Sequence, residues 1–265
     1  MAGERVVEVT QRGAVATVTI RRPEVHNAFD EHVIGQLAEA FTGLSTEPGA
    51  RAVILTGEGR SFSAGADLDW MRRAASLSES ENRRDAAALA AMLRGIAECP
   101  IPVVAKVQGG AFGGGAGLVA AADIAVAAES ARFGFTEVRL GLVPATIAPH
   151  VVEKIGPGNA RRLFLTGERF DAAEARIIGL VHLVARDEEL DSAVDGVVAA
   201  ILAGGPDAHR ICKELVRNVR ANGAEVDSYT ASLIATVRGG AEGREGVAAF
   251  LEKRSPDWAA VDDDS

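Results

Sequence analysis

Apolar positions recur along the chain in two periods, close to two and close to 3.6 residues, and the period changes mark the elements. Val6 to Val9 and Val15 to Ile20 alternate apolar and polar side chains around Gln11, Arg12 and Gly13, which predicts two strands joined by a tight turn. A loop carrying Pro23 and Asn27 leads to Asp30, a helix cap, and then to a helical stripe at Val33, Ile34, Leu37, Ala40 and Phe41 that Glu47, Pro48 and Gly49 stop. Ala52 to Leu55 predicts a short strand and residues 56–68 a glycine-bearing loop. Trp70 and Met71 begin a segment that runs into the polar patch SLSESENRR, residues 76–84, expected to be mobile. Ala87 to Ile96 reads as helix, and Pro100 and Pro102 stop it as the apolar, β-branched run Ile101 to Val107 begins.

Further on, Ile124 to Ala127 predicts a strand and Phe133 to Leu142 an extended segment ending at Pro144. Helices are expected over Ile147 to Ile155 and Asn159 to Leu165, split by Gly156 and Pro157, then over Ala172 to Ile178, with Leu180 to Val184 extended. Past Glu188 the pattern is helical throughout: Leu190 to Leu202, Ala208 to Val219, Val226 to Val237 and Gly243 to Lys253, before an acidic tail expected to fray. Early strand-rich units followed by late helices predict an α/β core over residues 1–190 and a helical region over residues 191–265.

Composition narrows the function classes. A chain of 265 residues buries enough surface to fold without staples, and 48% hydrophobic with 25% charged residues is a globular balance. The net charge of −9 argues against nucleic acid or an anionic membrane as partner. Cys99 and Cys212 form no CxxC, and the histidines show no metal-ligand spacing, so neither a disulfide framework nor a metal is expected. With no basic-then-apolar leader and no apolar run of about 18 residues, a cytoplasmic location is expected. Neither cysteine has a partner that would activate it as a nucleophile.

The candidate chemistry lies in two glycine-rich loops. The first to draw notice is QGGAFGGG, residues 108–115, between the strand at Val103 and a short Ala-rich helix over Ala116 to Ala122. Glycines packed so closely either let backbone meet backbone or leave amide N–H groups free at a helix start, where the dipole favours negative charge. Gly115, Gly117 and Ala120 fit G-x-G-x-x-A, but the strand does not feed these glycines directly and the helix is too short for a dinucleotide crossover. No phosphate loop is present. The other loop, Ser63-Ala64-Gly65-Ala66-Asp67-Leu68, also follows a strand and precedes a helix, with Asp67 placed to cap it. Two such junctions can each aim one N–H at the same oxygen, which is an oxyanion hole.

FSAGADLDWM (62–71), GGAFGGGAGLVAAADI (109–124), FGFTEVRLGLVP (133–144) and FLEKRSP (250–256) resemble the signatures of the enoyl-CoA hydratase/isomerase family, the crotonases. The resemblance covers nearly the whole chain. It implies a crotonase-like α/β spiral of ββα units with a helical C-terminal region that builds a homotrimer or a homohexamer. It also implies an acyl-CoA thioester as substrate, CoA being part of that substrate, with no further cofactor. By motif position, Ala66 and Gly114 are the oxyanion donors. Asn27, Ala28, Ala64, Asp67, Leu68, Phe112, Gly113, Thr136, Phe250 and Lys253 fall at positions that bind substrate or CoA.

Related hydratases use two glutamates, one matching Glu137 and the other the position of Gly117, so the chain departs from that pattern. Three readings follow: an isomerase working with one carboxylate, a hydratase in which Glu137 handles both the water and the C2 proton, or a CoA-ester or RNA binder without catalysis. The stretch Thr136 to Val152 is similar to hydratases of branched substrates such as 3-methylglutaconyl-CoA and carboxygeranoyl-CoA, which favours hydration. A glycine at 117 is expected to leave room beside C3 for a β-methyl group. Arg72, Arg73, Arg139 and His150 are candidates to meet a distal substrate carboxylate.

Overall fold

The computed structural model describes residues 5–46, 49–221 and 225–259; the expected helix stop at Glu47 and Pro48 and the tail beyond Ala259 lie outside them. The hairpin forms as the alternation predicts: β1 (Val7–Arg12) pairs antiparallel with β2 (Val15–Ile20). Helix α1 (Glu31–Thr46) follows, capped by Asp30, whose Oδ1 accepts from the N–H groups of His32 (3.0 Å) and Val33 (3.1 Å). Next come β3 (Ala52–Gly57), α2 (Leu68–Ala74) and α3 (Glu79–Glu98). Then β4 (Val103–Val107), β5 (Gly110–Phe112), α4 (Gly114–Ala121), β6 (Ile124–Ala128) and β7 (Arg132–Gly134) lead to α5 (Ala148–Thr166). The chain closes with β8 (Arg169–Asp171), α6 (Ala172–Ile177), β9 (Leu183–Ala185), α7 (Leu190–Ala203), α8 (Pro206–Ala221), α9 (Val226–Gly239) and α10 (Ala241–Glu252).

Strands β1-β2-β3-β4-β6-β9 make one sheet, parallel beyond the first pair, and β5-β7-β8 make a second. Each turn of the chain lays a strand in the first sheet, a short extended piece in the second layer, and then a helix: β4-β5-α4 and β6-β7-α5 are two such turns. Isolated bridges Phe29–Ala66 and Ser63–Ala111 continue the second layer through the two preceding turns. This is the spiral of ββα units that the resemblance implies. Its main core holds Phe29, Phe41, Phe62, Phe133 and Phe135 among aliphatic residues, and α7 covers the other side of the first sheet through Leu190, Val194, Val198 and Ile201.

Two segments depart from the sequence pattern. Residues 79–84 of the polar patch are the first turns of α3, with Ser78 as its cap: Ser78 accepts from the Glu81 N–H (3.3 Å) while the Ser78 N–H donates to Glu81 Oε2 (2.8 Å), a complete capping box. Its polarity is that of a solvated first helical turn. The segment 133–142 is extended only through Gly134; Glu137–Leu140 form a 3-10 turn that Gly141 ends. The expected break within α5 is present: Gly156 (φ +75°) has non-helical backbone and Pro157 follows it, so two helical pieces meet there at a kink.

Candidate active site

The two glycine loops are built alike. Gly65 (φ +86°) precedes Ala66, and Gly113 (φ +50°) precedes Gly114; both glycines occupy backbone that side chains disfavour, and each turns the next amide out of its own strand direction. At the first loop, the Phe29 N–H donates to the Gly65 carbonyl (2.8 Å) and the Asp67 N–H to the Phe29 carbonyl (3.1 Å). In a parallel bridge those flanking groups carry the bonds, so the N–H of Ala66 itself turns to the side opposite Phe29. At the second loop, the Gly113 N–H donates to the Gly134 carbonyl (2.8 Å). Gly114 opens α4, where an N–H has no acceptor within the helix.

The loops meet. A Cβ built on Gly65 would stand 3.2 Å from the Gly114 nitrogen and 2.5 Å from the Phe112 carbonyl oxygen. One built on Gly113 would stand 3.1 Å from Oε1 of Glu137, so the carboxylate lies against the turn that presents Gly114. Glu137 is half-buried at the start of its 3-10 turn, and its Oε2 is buried with no hydrogen-bond partner among the described residues. Burial pushes the Glu137 carboxyl above its ordinary value, and a bond from its own backbone opposes this. Thr136 is the cap residue of that turn without making a side-chain cap bond. Phe112, half-buried, carries the Arg169 guanidinium 4.8 Å from its ring centroid.

Other positions named from the sequence have structural employment. Asn27 is fully buried: its Oδ1 accepts from the Arg22 N–H (2.9 Å), and its Nδ2 donates to the carbonyls of Glu58 (2.8 Å) and Ser61 (2.6 Å). It holds its loop together and turns no polar atom outward. Ala28 is buried beside it, whereas Ala64 and Leu68 are exposed. Asp67 caps α2 by accepting from the N–H groups of Asp69 (2.8 Å) and Trp70 (3.1 Å), and pairs with Arg22 (3.1 Å). Burial alone would raise the Asp67 carboxyl; the two amides and Arg22 outweigh it and hold it below its ordinary value. Phe250 and Lys253 are exposed at the end of α10, which packs on α9.

The room expected at Gly117 is filled. Gly117 is buried one turn along α4 from Gly113, and a Cβ there would fall 2.3 Å from Ile147 Cγ2 and 2.9 Å from its Cβ. Ile147, itself buried, therefore occupies the volume that a second glutamate or a β-methyl group was expected to enter. Among the distal cations, Arg72 pairs with Asp69 (2.6 Å) and Arg73 grips both oxygens of Glu31, so both are engaged locally. His150 is half-buried, and burial lowers its pKa. Arg139 lies against Gly167. The sequence reading missed Phe29, Arg22 and Ile147, and for Ile147 no local signal points to Gly117. Among the described residues no cluster of three or more His, Cys, Asp or Glu is placed to hold a metal, and no helix is long and apolar enough to cross a membrane.

The chain is similar to known proteins over nearly its whole length. The family model described as enoyl-CoA hydratase/isomerase matches residues 10–261. A putative enoyl-CoA hydratase of Thermus thermophilus is 37% identical over 247 residues, covering 93% of this chain and 98% of its own. A crotonyl-CoA hydratase of Syntrophomonas wolfei is 33% identical over 266 residues, covering 97% and 99%. The crystal structure of an enoyl-CoA hydratase from Shewanella pealeana superposes with a TM-score of 0.92 at 38% identity, over 96% of each chain.

Proposed function

The chain belongs to the enoyl-CoA hydratase/isomerase family, and from that premise we propose that it adds water across the C2–C3 double bond of an enoyl-CoA thioester. The observation that carries this reading is the meeting of two donor loops beside one carboxylate with a buried, unpartnered oxygen. The N–H groups of Ala66 and Gly114 take the thioester oxygen. Ionised Glu137 removes a proton from water as the oxygen bonds to C3, and the C2–C3 π electrons move onto the thioester as an enolate. The two amides hold that charge, and loss of one such donor costs about 3 kcal/mol of barrier. Glu137 then returns its proton to C2, which restores the carboxylate and leaves a 3-hydroxyacyl thioester. One carboxylate thus serves both transfers, in keeping with Ile147 standing where a second would be.

The reaction as written uses no metal or redox cofactor, and CoA arrives with the substrate. Ala64, Leu68, Phe250 and Lys253 present exposed surface suited to CoA. The apolar groove of about 490 Å³ between α8 and α9, lined by Leu215, Ile234 and Val237, and the exposed Phe250 and Leu251 support assembly as a homotrimer or homohexamer. Light scattering of the purified chain checks that mass. The free cysteines Cys99 and Cys212 suit a reducing, cytoplasmic setting. The Thr136–Val152 stretch supports a branched acyl group such as 3-methylglutaconyl, without the extra room at Gly117.

The test is wild type and Glu137→Gln on crotonyl-CoA, 3-methylglutaconyl-CoA and a 3-enoyl-CoA. Loss of the conjugated-thioester absorbance in wild type, with a fall of more than about 100-fold in the variant, is expected. Conversion of the 3-enoyl ester without water uptake would assign the isomerase instead. The raised carboxyl pKa fixes the pH behaviour. The base must be ionised, so the acid limb of kcat/KM falls above the ordinary value of 4.5. A folded pKa above the unfolded one means stability is greatest below that value and declines as pH rises through the raised one. Glu137→Gln therefore melts higher than wild type at pH 7 while losing turnover.

A further inference from the structure

Phe29 touches both donor loops in different ways. Its backbone fastens the first, accepting from the Asp67 N–H (3.1 Å) and donating to the Gly65 carbonyl (2.8 Å), which fixes the peptide units on either side of Ala66. Its ring fastens the second: a Cβ on Gly114 would fall 2.2 Å from Phe29 Cζ and 2.7 Å from Cε2, so the ring lies flush against the first residue of α4. The side chain is 1% exposed, and its own segment is immobilised. Arg22 Nη1 donates to the Ala28 carbonyl (2.8 Å), Asn27 braces the turn before it, and Asp30 caps α1 directly after it. A residue so held cannot shift relative to one loop without shifting the other.

We infer that Phe29 is the positioning residue of the oxyanion site: its bridge to Ala66 and its ring against Gly114 set the spacing of the two donor amides. The inference rests on the proposed role of those amides. It explains why position 114 is glycine, since its missing Cβ is the space the ring fills. Donors pay off for a developing enolate oxygen only if both reach it, and a misplacement of about 1 Å costs on the order of 100-fold in rate. Phe29 itself stands behind the amides and touches no reacting atom in this account.

The experiment is a double-mutant cycle of Phe29→Leu and Gly114→Ala, read in two ways. In kinetics on the preferred enoyl-CoA, Phe29→Leu loosens the contact and lowers kcat about 10- to 100-fold while KM moves less than about threefold. Gly114→Ala, whose methyl collides with the ring, does the same. Together the shorter side chain and the added methyl fit, and the pair recovers at least about tenfold over the product of the single losses. In hydrogen exchange without any ligand, Phe29→Leu raises exchange in both 63–68 and 112–117 while the β1–β2 hairpin keeps its protection. Independent multiplication of the losses, exchange rising in one loop or in neither, or activity lost only in proportion to unfolded protein would each overturn the assignment. Should wild type turn over no enoyl-CoA, the functional reading fails, and the exchange measurement still decides whether Phe29 spaces the two loops.

Discussion

The loops ending at Ala66 and Gly114 present the same kind of donor and are held by different forces. The first is fastened by polar bonds. Ser63 Oγ donates to the Asn27 carbonyl (2.8 Å) and accepts from the Gly65 N–H (3.1 Å), Asp67 caps α2, and Arg22 joins Asp67 to Asp30 (3.3 Å). The second has backbone bonds, from the Gly113 N–H to the Gly134 carbonyl (2.8 Å) and from the Phe112 N–H to the Ser63 carbonyl (3.0 Å), but no side-chain bonds like these, and it leans on packing. Gly113 has no side-chain cap to offer α4, and residues Gly115 to Ala121 of that helix are all buried. Small residues there let α4 sink among Phe29, Ser63 and Ile147. The first loop thus leans on directional side-chain bonds, the second more on close contact that tolerates no added volume. Substitutions in the two loops should fail in different ways.

The largest effect belongs to the packed loop. Gly117→Glu forces a carboxylate into Ile147, and the combined overpacking and buried charge should cost more than about 3 kcal/mol, read as a lower urea midpoint. Ile147→Gly added to it should restore part of the loss. An unchanged midpoint for the single variant would show that α4 is not tightly enclosed. Next comes the contact between the loops. Gly65→Ala places a methyl in positive-φ backbone and against the Phe112 carbonyl, a penalty of about 1–3 kcal/mol, together with a fall in kcat as the amides are pushed apart. A neutral result in both measurements would mean that the loops do not touch in solution.

The smallest effect belongs to the polar loop. Asp67→Ala removes a helix cap and should cost about 1–2 kcal/mol at pH 7. Because the folded Asp67 carboxyl lies below its ordinary value of 3.8, its contribution is present above that value and is lost as pH falls through the lowered one. The gap between wild type and Asp67→Ala should therefore close in acid, while Gly65→Ala keeps its penalty. A gap that stayed constant down to the acid transition would contradict the polar fastening.

Local chemistry was legible in the sequence. The hairpin around Gly13, the caps at Asp30 and Asp67, and the two glycine loops follow from short-range patterns, and the structure has them where the residues say. Two local patterns misled. Alternating apolar residues across Phe133 to Leu142 imitate a strand, yet the 3-10 turn at Glu137 is what lays its carboxylate against Gly113. The polar run at 76–84 looked unfastened because its Ser78–Glu81 capping box went unread. What pattern could not supply is contact between distant residues. Ile147 filling the space at Gly117, and Phe29 meeting Gly114, depend on how successive turns of the spiral stack. A missing side chain reads as an opening in sequence; in the folded chain a neighbour fills it.

The most direct measurement is a crystal structure of the Glu137→Gln variant with an unreacted enoyl-CoA bound. The account predicts the thioester oxygen at about 3 Å from the nitrogens of both Ala66 and Gly114, with the side chain at 137 beside C2 and C3. A thioester oxygen that meets neither amide, or an acyl chain that runs away from residue 137, would contradict it.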